Sequence, residues 1–203
     1  MSSFAGQPRW LIAVAALLAV TLAVAVFVAL WKVWRRRRAR RRRDEIISGI
    51  ALDHVRNVLV PDGSGGMLHL DWLLLTPRGL LLLEVRHVAG NVFGSDQMAE
   101  WTVMRGAWRS TFANPLGALY DRMAVIRRLV PELPVDGRIV LIGDVQFPKG
   151  VPPRCLRLES LNAEFPATNL TAAAGLAAGM QSAWQRLLGQ LTPNPTTDPK
   201  EIV

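Results

Sequence analysis

The chain has 203 residues, enough for one domain of ordinary size with additional segments. Half of the residues are hydrophobic and the mean hydropathy is positive, which points to a segment in lipid. The formal net charge of +8 suggests nucleic acid, but its distribution argues against that simple version: ten of the 24 basic residues are Arg9, Lys32 and the eight arginines between Arg35 and Arg43, while all 16 acidic residues lie from Asp44 onward.

The body of the protein is therefore near −2, and the basicity belongs to a short flank. A single cysteine, Cys155, excludes a disulfide framework within the chain and fits a reducing compartment. Its flank Pro152-Pro153-Arg154-Cys155-Leu156-Arg157 reads as a loop entering a strand, not as a catalytic thiol.

Trp10 to Val28 carries no charge, and apolar character continues to Trp31. From Trp10 to Trp31 a helix would be about 33 Å long at about 1.5 Å per residue, matching a hydrocarbon core of about 30 Å. Backbone amides in hydrocarbon must pair internally, so such a segment is helical. Trp10 at one end, with Trp31 and Trp34 at the other, reads as an interfacial aromatic belt. A cleaved signal peptide would place its charge before a shorter apolar run and end at a small-residue site. Here one arginine precedes the run and nine basic residues follow it.

The positive-inside rule then predicts a single-pass protein of the inner, cytoplasmic membrane, with the N-terminus outside and the C-terminal domain in the cytoplasm. Anionic lipid head groups are the expected partners of the arginines. A grip on nucleic acid by the same run is the rival reading.

The expected divisions are residues 1–34 for the tail and transmembrane helix, 35–43 for the arginine-rich segment, 44–191 for an α/β domain and 192–203 for a disordered, proline-bearing tail. Within the domain, Asp44 to Asp53 reads as a short helix and Val55 to Val60 as a strand before the Pro61–Gly66 turn. Met67 to Thr76 and Leu80 to Val88 form a predicted hairpin through Thr76-Pro77-Arg78-Gly79. Their leucine runs imply burial on both faces.

Gly90 to Phe93 is a further short strand, and Trp101–Met104 with Ala107–Phe112 suggest a second hairpin. Asn114 as N-cap and Pro115 open a helix to Val130, with Leu116, Leu119, Met123, Ile126 and Leu129 at helical spacing. Arg138 to Gly143 and Cys155 to Leu158 read as strands, and Leu170 to Leu191 as a helix. The expected class is mixed α/β, with one sheet flanked by helices.

The stretch with chemical content is Asp71 in one strand of the first hairpin, with Glu84 and Arg86 in the other. Period-two alternation puts Glu84 and Arg86 on one face. Carboxylates on paired strands can converge on magnesium, which takes oxygen ligands and keeps waters, and such an ion activates water for phosphoryl hydrolysis. The bland reading of Glu84 and Arg86 is a same-face ion pair. His54, His69 and His87 read as interfacial or solvated, with His87 pointing away from the Glu84 face, and Trp101 and Trp108 as hairpin packing.

These residues resemble the nuclease-related domain, NERD, within the restriction-endonuclease-like group with PD-(D/E)xK sites. Asn57-Val58-Leu59-Val60-Pro61 resembles its first strand, Leu70-Asp71-Trp72 its aspartate strand, and Pro77 through Arg86 its strand ending in glutamate-x-lysine. His87-Val88-Ala89-Gly90-Asn91-Val92, Trp101 and Asn114-Pro115-Leu116 follow in the family's order. The resemblance implies a restriction-endonuclease-like mixed sheet and a magnesium-dependent nuclease acting on DNA, with Asp71 and Glu84 as metal ligands and Glu45 as a weak third.

Two positions depart from the pattern. The family's lysine is Arg86, which cannot lose a proton to activate water, and its glutamine after Asn-Pro is Ala118. The departures favour weakened or lost hydrolysis in a membrane-tethered module that binds nucleic acid or protein.

Overall fold

The structure is a computed structural model in which residues 9–166 and 170–195 are described. The first eight residues, the tail from residue 196 onward and the side chain of Trp10 lie outside the described set. The chain divides into two units, Met1–Asp44 and Glu45–Val203.

Helix α1 runs from Arg9 to Ser48. In the first unit its apolar side chains, from Leu17 through Leu22 to Phe27, are exposed around the whole circumference. A helix that is apolar all round belongs in a core or in lipid, and this one is long and apolar enough to cross a membrane. The guanidiniums of Arg35 and Arg38 lie 5.5 and 5.4 Å from the rings of Trp31 and Trp34, one turn earlier. The expected separate helix from Asp44 does not form as such, because arginine is a good helix former and no breaker intervenes before Gly49.

The second unit is mixed α/β. Strands β1 (Asp53–Pro61), β2 (Met67–Thr76) and β3 (Gly79–His87) form an antiparallel meander. Strands β4 (Gly90–Phe93), β5 (Glu100–Arg105) and β6 (Trp108–Ala113) follow, then helix α2 (Pro115–Leu129) and strand β7 (Val135–Ile142). The chain continues through β8 (Val145–Gln146), β9 (Cys155–Arg157), a 3-10 turn at Leu158–Ser160, α3 (Leu161–Glu164), α4 (Leu170–Leu188) and β10 (Thr192–Pro193).

The strands make two sheets, not the one expected. The larger has the order β10-β1-β2-β3-β7-β9 and the smaller β6-β5-β4-β8. The chain leaves the first sheet at Gly90, where φ is 122° and an added Cβ would lie 2.5 Å from the Met104 carbonyl oxygen. Glycine alone tolerates that backbone and that approach.

The leucine runs are buried on both faces, as their composition implies. Leu73, Leu75, Leu80 and Leu82 pack with Leu116, Leu119, Met123 and Ile126 of α2 and with Trp184 of α4. Trp72, Leu74, Leu81 and Leu83 pack on the other side with Ile47, Ile50, Leu161 and Phe165. Each fully buried leucine contributes roughly 1.5–3 kcal/mol.

Helix α2 starts as predicted: the Asn114 side chain accepts from the Leu116 N–H at 3.0 Å, and its amide donates to the carbonyls of Ser95, Asp96 and Met98. At Gly137 of β7, an added Cβ would meet Met123 Sδ at 2.7 Å and Leu119 Cδ1 at 2.9 Å, so the missing side chain lets α2 lie close on the sheet. The tail expected to be disordered from residue 192 instead begins with β10, which pairs Thr192 and Pro193 with Leu59 and Val58. The outer edge of β1 offers unpaired backbone groups, and an edge position tolerates proline.

Candidate functional site

The ladder between β1 and β2 skips one position. Arg56 pairs with Trp72 and Val58 with Leu70, leaving Asn57 and Asp71 between them. Asn57 has φ 52°, in the left-handed region. Side-chain alternation slips at the same place: Leu70 and Leu73 belong to one core face while Trp72 belongs to the other. Irregularities of this kind re-aim side chains and gather near functional sites.

Asp71 uses the interruption. Its Oδ2 accepts the N–H of Val85 in β3 at 2.9 Å, and its Oδ1 lies 3.3 Å from His69 Nδ1. His69 Nε2 lies 2.8 Å from Asn57 Oδ1. Asn57 is held in turn by Asn194, whose backbone N–H donates to the Asn57 carbonyl at 3.0 Å and whose carbonyl accepts from Asn57 Nδ2 at 3.2 Å. Asn194, just after β10, thus supports the aspartate through the side chains of Asn57 and His69, a support with no counterpart in the sequence pattern.

Glu84 lies on the adjacent strand and is only 3% exposed. Arg122 Nη1 donates to its Oε1 at 2.7 Å and Arg86 Nη2 to its Oε2 at 3.0 Å. Burial raises its proton affinity above the usual carboxylate range; Arg122 and Arg86 oppose that rise and the charge of Asp71 adds to it. The same-face placement of Glu84 and Arg86 follows the predicted alternation, and their relation is the ion pair of the bland reading.

Arg122 is the residue that sequence reasoning missed. It sits between buried Leu119 and Met123 on α2, one turn after Ala118, and its Nε also donates to the His69 carbonyl at 2.6 Å. A cation beside the buried stripe of an amphipathic helix was the available signal.

The donor set does not fit a resident magnesium ion. Three of the four carboxylate oxygens of Asp71 and Glu84 already accept hydrogen bonds, and the fourth lies 3.3 Å from His69 Nδ1. Two guanidiniums offset the two negative charges that would attract a divalent cation. Glu45 is exposed near the end of α1, and among the described residues no group of three or more His, Cys, Asp or Glu side chains is arranged to hold a metal. What remains accessible is a guanidinium: Arg86 is 30% exposed, above the buried glutamate.

The other singled-out residues lie apart from this cluster. The His54 ring centroid is 5.4 Å from that of Trp72, and His87 is exposed at the end of β3. Trp101 is fully buried, its indole N–H donating to the Ser95 carbonyl at 3.0 Å. Trp108 departs from the packing role expected of it, with 47% of its surface exposed. Cys155 is buried and its thiol is pushed up to about 12, so it is no nucleophile.

No curated protein and no solved structure matches the chain. Residues 50–142 match the family model of the nuclease-related domain, and this stretch holds Asp71, Glu84, Arg86 and Arg122. The chain therefore carries a nuclease-related domain, NERD, over residues 50–142, in keeping with the PD-(D/E)xK group.

Proposed function

We propose that this chain is a single-pass membrane protein that holds a NERD domain at the cytoplasmic face of the membrane, where the domain binds nucleic-acid phosphodiesters without hydrolysing them. The observation that carries the loss of hydrolysis is the double guanidinium clamp on Glu84, with Arg122 on one oxygen and Arg86 on the other. An arginine cannot supply the general base that the family's lysine would provide. A planar guanidinium does suit a phosphate oxygen pair, and Arg86, 30% exposed against 17% for Arg122, is the more accessible member of the clamp.

The anchor reading is supported by an α1 without a polar face and by the arginines from Arg35 to Arg43 on one side of the apolar run. Those arginines would also bind anionic head groups, at roughly 1 kcal/mol each.

The test uses the full chain in detergent micelles. Fluorescence anisotropy with a labelled oligonucleotide should show saturable binding that weakens with salt and is reduced by Arg86→Ala. Incubation with magnesium or manganese should leave the strand intact. Metal-dependent cleavage that disappears in Asp71→Ala and Glu84→Gln would overturn the non-hydrolytic reading. Protease access to the domain only in inside-out vesicles is the expected orientation result, and access in right-side-out vesicles would reverse it.

A further inference from the structure

The β5–β6 hairpin has an unusual inner face. Its register pairs Trp101 with Phe112, Val103 with Ser110 and Arg105 with Trp108, so these six side chains share one side of the smaller sheet. Along that side exposure rises from 0% at Trp101, through 5% at Val103, to 47% at Trp108. A face that begins as core therefore opens outward and ends on an indole and a guanidinium. The five residues from Val103 to Phe112 on this face line a cavity of about 490 Å³.

The opposite wall comes from His87, Val88 and Ile142. His87 and Ile142 are the last paired residues of the parallel strands β3 and β7. The space beyond the carboxyl ends of parallel strands is where open α/β sheets take ligands, and the volume falls within the range of small-ligand sites.

The lining sets the ligand chemistry. Val88, Phe112 and Ile142 supply apolar surface, and Trp108, 47% exposed, an aromatic ring. Arg105 and His87 are the ionisable residues of the lining, and no aspartate or glutamate is among them. A matching ligand is flat, partly apolar and anionic.

We propose that this cavity binds a nucleotide, with the base against the Trp108 indole and the phosphate against Arg105. The choice of a nucleotide rests on the nucleic-acid reading above. Stacking on an exposed aromatic ring tolerates any base, so the site discriminates unpaired from paired nucleotides more than one base from another.

Calorimetry on the full chain in detergent micelles, with adenosine 5′-monophosphate as ligand, tests the assignment. Saturable binding is expected, with adenosine and ribose 5-phosphate each weaker by about tenfold. Trp108→Ala and Arg105→Ala should each weaken binding by about tenfold, while Trp108→Phe keeps most of it. The absence of saturable binding would overturn the proposal, as would binding that survives both alanine substitutions. Competition by a single-stranded oligothymidylate would identify an unpaired nucleotide of a strand as the occupant; its absence alongside mononucleotide binding would identify the free nucleotide.

The two readings fail separately. Mononucleotide binding without any strand binding sinks the proposed function and keeps the cavity assignment. Strand binding that needs Arg86, with no mononucleotide binding, does the reverse.

Discussion

Replacing Arg122 with leucine should destabilise the domain by about 3 kcal/mol at neutral pH, and by clearly less in acid. Arg122 donates to a buried glutamate at 2.7 Å and to the His69 carbonyl at 2.6 Å. Breaking one partner from a buried ion pair typically costs about 3–5 kcal/mol, because the other charge stays uncompensated. Arg86 remains on Glu84 at 3.0 Å, which places the effect at the lower end.

The pH dependence follows from the sign of the Glu84 shift. Its folded-state proton affinity is raised, by burial first. The stability linked to its protonation is fully present below the ordinary glutamate value and is lost as pH rises through the raised one. Without Arg122 the rise is larger, so the deficit of Arg122→Leu should shrink between about pH 7.5 and about pH 5. Urea unfolding of the full chain in micelles, followed by tryptophan fluorescence, measures it. Adding Glu84→Gln to Arg122→Leu should recover part of the loss. A deficit below about 1 kcal/mol, as for an exposed pair, or one identical at both pH values, would refute the buried-clamp reasoning.

Asn114→Ala removes a helix cap and three donations to the 95–98 loop at once, and should cost about 2 kcal/mol in the same unfolding experiment. Gly137→Ala should cost roughly 1–3 kcal/mol, partly relieved by Leu119→Ala, which vacates one of the two contacts the new methyl would strike. Arg86→Lys should not create metal-dependent cleavage, because Arg122 still holds Glu84; gel analysis with manganese checks this. Cys155 should resist alkylation in the native chain at about pH 8 and react readily in denaturant, since burial holds its thiol near 12.

The parts that were legible in the sequence rest on local rules. Period-two alternation put Glu84 and Arg86 on one face, and their ion pair confirms the spacing. Asn114-Pro115 marked a helix start because the cap chemistry is contained within three residues. The leucine runs of β2 and β3 implied two covered faces, and two core clusters cover them. Alternation failed at Asn57 and Asp71, where both strands slip together, and it could not foresee Trp108 left open.

By itself the sequence determined the apolar helix, the charge asymmetry beside it and the order of the hairpin carboxylates, since periodicity, caps and charge runs act over a few residues. Only the tertiary structure decided what those carboxylates touch. Arg122 reaches Glu84 across 38 positions of chain, Asn194 holds Asn57 of β1 from the far end of the domain, and the second hairpin builds its own sheet. Such pairings depend on which faces and edges meet once the core closes, and residue spacing alone does not encode that.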